Sequence, residues 1–293
     1  MSSRSWRVLV LGGAGLLVVA WIVALTQLPS IGANALLHPV RRQVAIAAPD
    51  GCRTRTVDAG DVTLTGWSCE GSSPRRGTIV YLHGIADNRA SGAGLIHRFV
   101  PHGLSVVAFD SRAHGDSSGD TCTYGFFEQD DLHRILDTVT RGPIVLVGNS
   151  LGAAVALQEA AHDPRVTAVV AIAPFSDLRT IATERAPFVF THGAIERAFA
   201  LAETNAHFHV DAVSPVVAAR AIVVPALLVH GAEDADTPPE HSVRILAALA
   251  GPKRLILVPG LHHNDELPAE VWDEIERWIA RAIGSEGFSA RSS

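Results

Sequence analysis

The chain has 293 residues, of which 47% are hydrophobic and 18% charged, with a formal net charge of −6. That length buries a substantial core and suits one α/β domain of roughly 250 residues better than two small ones. The mildly acidic balance and scattered basic residues leave no electrostatic footprint for nucleic acid, which argues against such a partner.

After Arg4 and Arg7, Val8 to Leu28 runs about 21 residues without a charge. As a helix this stretch is long enough to cross a bilayer core of roughly 30 Å. Trp6 and Trp21 are candidate interface anchors. The rival is a cleaved signal peptide, since Ala33-Asn34-Ala35 resembles a small-residue cleavage site. An uncleaved anchor over residues 1–30 is preferred, because the apolar run is too long for a signal peptide and the cleavage site lies well beyond it. Arg4 and Arg7 sit closer to the run than Arg41 and Arg42, which favours a cytoplasmic N-terminus and a catalytic domain on the outer side.

Residues 31–77 read as a linker followed by a hairpin, Arg53 to Ala59 and Val62 to Cys69 around Gly60-Asp61. The hairpin makes a Cys52–Cys69 disulfide conceivable in an oxidising compartment. Three unpaired cysteines, with Cys122 the third, is the preferred expectation, and no spacing among them resembles a metal knuckle. Beyond the hairpin, strand-like and helix-like segments alternate, the signature of a mostly parallel sheet covered on both faces. Thr78 to Leu82, Ser105 to Phe109, Ile144 to Val147, Val166 to Ile172, Ala226 to Val229 and Arg254 to Val258 read as strands. Leu95 to Val100, Glu128 to Thr140, Leu151 to His162, His241 to Leu249 and Glu270 to Ile283 read as helices.

One interval breaks the rhythm. About fifty residues from Phe175 to Val224 separate two strands and carry mixed helical signals, with Phe188, Phe190, Phe199 and Phe208 among them. Ligands of open α/β sheets bind beyond the carboxyl ends of the strands, so an insertion there is read as a small helical cap over the site. The tail, residues 285–293, reads as disordered.

Gly148-Asn149-Ser150-Leu151-Gly152 falls between a β-branched strand and an alanine-rich helix. Two glycines let strand and helix pack closely around a strained serine whose hydroxyl projects from the sheet. A serine needs a base oriented by a carboxylate. Strand Ala226 to Val229 is followed by His230-Gly231-Ala232-Glu233-Asp234-Ala235-Asp236, and strand Arg254 to Val258 by Pro259-Gly260-Leu261-His262-His263.

These four motifs, with Tyr81-Leu82-His83-Gly84 as the first, resemble the α/β-hydrolase superfamily in order and spacing over residues 78–283. Asp110 to Gly115, Ser117, Gly119, Thr123-Tyr124-Gly125 and Leu37-His38-Pro39, taken with the anchor, resemble its small membrane-anchored branch. That branch includes acylglycerol and lysophospholipid lipases and depalmitoylating thioesterases. The resemblance implies an α/β fold, a doubly wound mostly parallel sheet with a small helical cap preceded by one transmembrane helix. The hydrolase core then spans residues 78–284, with the cap at about 175–224.

Carried over residue by residue, Ser150 matches the nucleophile, Asp234 the acid and His263 the base. Asp236 is set behind Asp234 by the spacing from His230-Gly231, and His262 behind His263 by Gly-x-x-His. The resemblance assigns the oxyanion-binding N–H groups to Ile85 and Leu151, with His83, Gly84 and His262 lining the substrate pocket. Asp110 and His114 read as loop braces. His207 and His209 suggest metal, but no helical ligand pair such as H-E-x-x-H accompanies them, and no cofactor is expected. The expected activity is hydrolysis of a lipophilic acyl ester or thioester, with the bilayer as a second partner. A peptidase or acyltransferase on the same residues and a non-catalytic membrane-bound ligand binder are the alternatives.

Overall fold

The computed structural model describes residues 26–139 and 142–284. The apolar runs form the strands of one eight-stranded sheet: β1 (Cys52–Asp58), β2 (Thr63–Cys69), β3 (Gly77–Leu82), β4 (Leu104–Phe109), β5 (Ile144–Asn149), β6 (Val166–Ile172), β7 (Ala226–Gly231) and β8 (Lys253–Val258). Their order is β1-β2-β4-β3-β5-β6-β7-β8. The β1–β2 and β2–β4 pairs are antiparallel, and every later pair is parallel.

Parallel strands need a crossover between them, and here the crossovers are helices on both faces. Alternation along β3 sorts the core into two layers. Val80 and Leu82 pack with α3 (Glu128–Asp137), α4 (Leu151–Ala160) and α8 (Glu240–Ala248). Ile79 and Tyr81 pack on the other face with α2 (Ala93–Phe99) and α9 (Ala269–Ala282). Burial of each leucine or valine in these layers contributes about 1.5–3 kcal/mol, offset by the entropy of ordering the chain. Every residue of α4 is buried, so this helix joins the sheet to what lies above it.

Between β6 and β7 the chain makes a helical cap from α5 (Leu178–Glu184), α6 (His192–Ala206) and α7 (Pro215–Ala218), joined by short 3₁₀ turns. Side chains start the first two: Asp177 accepts from the Thr180 N–H at 2.8 Å, and Thr191 from the Ala194 N–H at 3.3 Å. Phe175, Leu178, Ile195, Phe199 and Phe208 form a third apolar cluster under this cap.

Two sequence expectations are corrected. Residues 31–37 are not linker: residues 26–37 are helical, here α1, and the spacing Pro29, Ala33, Leu37 turns one face inward. Ala33 and Leu37 belong to the cap cluster, so α1 is part of the folded domain. The cysteines are not all free either. Cys52 and Cys69 are direct partners in the β1–β2 register and form a disulfide, while Cys122 stays free and buried. No helix among the described residues is long and apolar enough to cross a membrane. The expected span falls almost wholly on residues 1–25 and the expected tail on 285–293, outside the described residues.

Candidate active site

Three loops meet at the carboxyl ends of β5, β7 and β8. The first is the turn from β5 into α4. Ser150 sits on it at φ 49°, ψ −109°, a conformation that L-residues avoid. Close packing forces the turn: a Cβ on Gly152 would lie 2.2 Å from the Leu82 carbonyl oxygen, and one on Gly148 2.3 Å from that of Gly152. The Ser150 N–H donates to the Ile172 carbonyl at 2.8 Å, which holds the strained residue to β6. Leu151 opens α4, and its N–H has no intrahelical acceptor.

The second and third loops are tied to each other. The Glu233 N–H donates to the Leu261 carbonyl at 3.1 Å, and the Glu233 carboxylate accepts from the Gly260 N–H at 2.8 Å. This pairing brings Asp234 beside His263. Their Oδ2 and Nδ1 atoms are 2.6 Å apart, and the His263 Nε2 is 2.9 Å from the Ser150 Oγ. With Nδ1–H donating to the carboxylate, the Nε2 lone pair faces the serine hydroxyl. Burial opposes ionisation of Asp234, but hydrogen bonds from His230, His263 and the Thr237 N–H outweigh it and hold the carboxyl below the usual carboxylate range.

His230, to which the sequence assigns no role, is therefore part of the constellation. Its Nε2 donates to the Thr237 carbonyl at 2.7 Å and lies 3.2 Å from Asp234 Oδ2, while Nδ1 accepts from the Ser242 hydroxyl at 2.7 Å. The signal was present in His230-Gly231 at the end of β7, but the contact exists only once the acid loop folds back.

Other expected residues divide. Gly84 and Ile85 lie beside Ser150, and Ile85 borders both cavities described below. His83 and His262 line neither, which corrects their assignment to the substrate pocket. His83 is fully buried under its loop, its Nδ1 donating to the Gly84 carbonyl at 2.7 Å and its Nε2 accepting from the Ser111 N–H at 3.0 Å. It braces the loop that carries Gly84 and Ile85. His262 is exposed, with Nδ1 donating to the Glu233 carbonyl at 2.9 Å. Asp236 is exposed too, and only its carbonyl is engaged, by Arg185 at 2.7 Å.

Asp110 and His114 are braces. The Asp110 carboxylate accepts from the Arg89 N–H at 2.6 Å, the Arg89 guanidinium and the Asp116 N–H at 2.8 Å. The neutral form of His114 is favoured by burial, which pulls its pKa down to about 4. A second Ser-His-carboxylate set, Ser176, His241 and Glu184, ties the cap to α8. Ser176 is 0% exposed and its hydroxyl donates to Asp177, so no substrate reaches it. Among the described residues, His133, Glu159 and Asp163 could ligate a cation, but the Arg165 guanidinium already bonds Asp163 there.

Ser150 stands where two cavities meet. One, of about 320 Å³, is apolar and walled by Phe175, Phe190 and Phe199 from the cap region. The other, of about 840 Å³, is polar and bordered by Arg42, Asp87, Asn264 and His263. A bond cleaved at Ser150 would have one substituent in each.

An eight-stranded, mostly parallel sheet with a glycine-flanked serine at the β5–α4 turn defines the α/β-hydrolase architecture. The alpha/beta hydrolase fold family matches residues 77–209. MT2364 of Mycobacterium tuberculosis (strain CDC 1551 / Oshkosh) is 30% identical over 251 residues, 82% of this chain and 80% of that protein. YqkD of Bacillus subtilis (strain 168) is 30% identical over 199 residues, 64% of each chain. The solved structure of the Pyrococcus furiosus esterase Pf2001 superposes with a TM-score of 0.65 at 20% identity, over 85% of this chain and 97% of that one. The chain belongs to the α/β-hydrolase superfamily.

Proposed function

We propose that this protein is a serine hydrolase that cleaves carboxylic ester or thioester bonds of lipophilic acyl substrates. The observation that carries the reading is the hydrogen-bonded series Asp234, His263, Ser150 at the junction of an apolar cavity and a polar cleft. His263 takes the hydroxyl proton as the Ser150 Oγ attacks the carbonyl carbon, and ionised Asp234 stabilises the imidazolium. The Leu151 and Ile85 N–H groups meet the charge developing on the carbonyl oxygen. His263 then passes its proton to the departing alkoxide or thiolate, and water activated by the same imidazole releases the acid. The acyl chain occupies the cavity walled by the phenylalanines, and the leaving group exits through the polar cleft. Support also comes from Pf2001, a protein of similar fold that is an esterase.

A fluorophosphonate probe should label Ser150, with the adduct located by peptide mass spectrometry. The kcat/KM for 4-nitrophenyl esters should rise from acetyl to octanoyl as methylenes enter the apolar cavity. An unlabelled protein overturns the reading, and a flat or falling profile overturns its lipophilic half.

Val8 to Leu28 would tether the domain to a membrane, with the N-terminus cytoplasmic and the domain on the outer side. The Cys52–Cys69 disulfide supports that side, because such bonds persist in oxidising compartments. The packing of Ala33 in the cap cluster supports retention of the segment that a signal peptidase would remove. Intact mass of membrane-extracted protein should include residues 1–35, and a mature chain beginning at Leu36 overturns the tether.

A further inference from the structure

We infer that helix α1 is the wall of the acyl cavity that sets which chain lengths the enzyme accepts. The inference rests on the serine-hydrolase reading and names residues that the oxyanion, nucleophile, acid and histidine motifs, all beyond residue 77, do not reach. Ile31, Gly32, Ala35 and Leu36 line the same apolar cavity as Ser150. The cap residues Ile181, Ala186 and Phe190 line it with them.

The wall is held by the domain itself. The Tyr124 hydroxyl donates to the Leu36 carbonyl at 3.1 Å, and the Cys122 N–H to the Leu37 carbonyl at 2.8 Å. These two bonds satisfy carbonyls at the C-terminal end of α1, which have no intrahelical donors. Pro29, Ala33 and Leu37 are buried, which fixes the rotation of the helix and turns Ala35 and Leu36 toward the cavity. Contact with the cap is close: a Cβ built on Gly32 would lie 3.0 Å from Phe190 Cε1 and 3.1 Å from the Ala198 Cβ. Any side chain at position 32 would press on Phe190, itself a lining residue.

The rim is apolar as well. Ile31 is 55% exposed and lines the cavity, while Phe188 and Val189 stand exposed in the sequence between the lining residues Pro187 and Phe190. An acyl chain entering past this rim meets α1 before it reaches Ser150. Short acyl groups would be held near the serine, whereas longer ones must lie along α1, so bulk on that helix discriminates by length.

The test uses the full-length protein and the ratio of kcat/KM for decanoyl over acetyl 4-nitrophenyl ester. In Ala35→Trp, where an exposed lining residue gains an indole, the ratio should fall at least tenfold. Ile31→Gln, at the half-exposed rim, should lower it severalfold, and it decides the matter if Ala35→Trp fails to fold. Asn34→Trp, on the same helix but outside this cavity, should keep the ratio within about twofold. Wild-type ratios in folded Ala35→Trp and Ile31→Gln, with the wild type labelled by the fluorophosphonate, overturn the role of α1 alone. A wild type that is not labelled overturns the serine-hydrolase reading and this inference with it.

Discussion

Ser150→Ala is expected to abolish fluorophosphonate labelling and to lower kcat on a short ester by roughly 10⁴–10⁶-fold, because the lost oxygen is the bond-forming atom. Stability should not follow. Ser150 is held at φ 49°, ψ −109° by the approach of α4 to β3, so the turn persists without the hydroxyl. Glycine adopts that conformation freely, so Ser150→Gly should be inactive yet more stable by about 1 kcal/mol, raising the melting temperature by about 2–4 °C. Steady-state assay and thermal unfolding of both variants read the two effects separately. Turnover by Ser150→Ala well above background would remove the serine from the mechanism, and a lower melting point for Ser150→Gly would show that the strain is not stored there.

The strained turn was also the most legible part of the chain. A β-branched run, a glycine-flanked serine and an alanine-rich run are local, and each residue type has a steric reason to stand where it does. The same holds for the parallel strands. Val166 to Ile172 was expected and is observed over the same residues, because a strand buried on both faces reads as an uninterrupted apolar run. Pairing partners are different in kind. Cys52 and Cys69 lie seventeen residues apart, and their opposition depends on the register set at the turn between Asp58 and Thr63. Spacing alone could not distinguish that register from its neighbours.

Helix α1 was hidden for another reason. Val8 to Leu28 reads as one uncharged, mostly apolar run, so the inward spacing of Pro29, Ala33 and Leu37 reads as its trailing edge rather than as the start of a packed face. In the site, Asp234 and His263 were legible because each follows a strand within a short motif. The roles of His230 and His83 were not, because each bonds a loop that doubles back on it. His262 illustrates the limit in the other direction: adjacency to His263 in sequence suggested a pocket residue, yet His262 is exposed and its ring bonds the Glu233 carbonyl.

Asp234→Asn should lower kcat by roughly 10³–10⁴-fold, since a neutral amide neither stabilises the imidazolium nor selects the Nδ1–H tautomer of His263. His263→Ala should be at least as severe, and the double variant little worse than His263→Ala, because the groups act as a unit. Asp236→Asn and His262→Ala should each cost less than about tenfold: one side chain is exposed and unpaired, and the other ring turns away to the Glu233 carbonyl. Titration supplies a second readout. The Asp234 carboxyl is held below its ordinary value in the folded protein, so it contributes stability that is present above about pH 4 and lost as pH falls through the folded value. Asparagine cannot supply that contribution at any pH. The stability difference between wild type and Asp234→Asn, measured by urea unfolding, should be largest near neutrality and shrink below about pH 4. A constant difference across that range would mean that Asp234 is not the ionised partner of His263. A larger kinetic loss in Asp236→Asn than in Asp234→Asn would move the acid two residues along the loop.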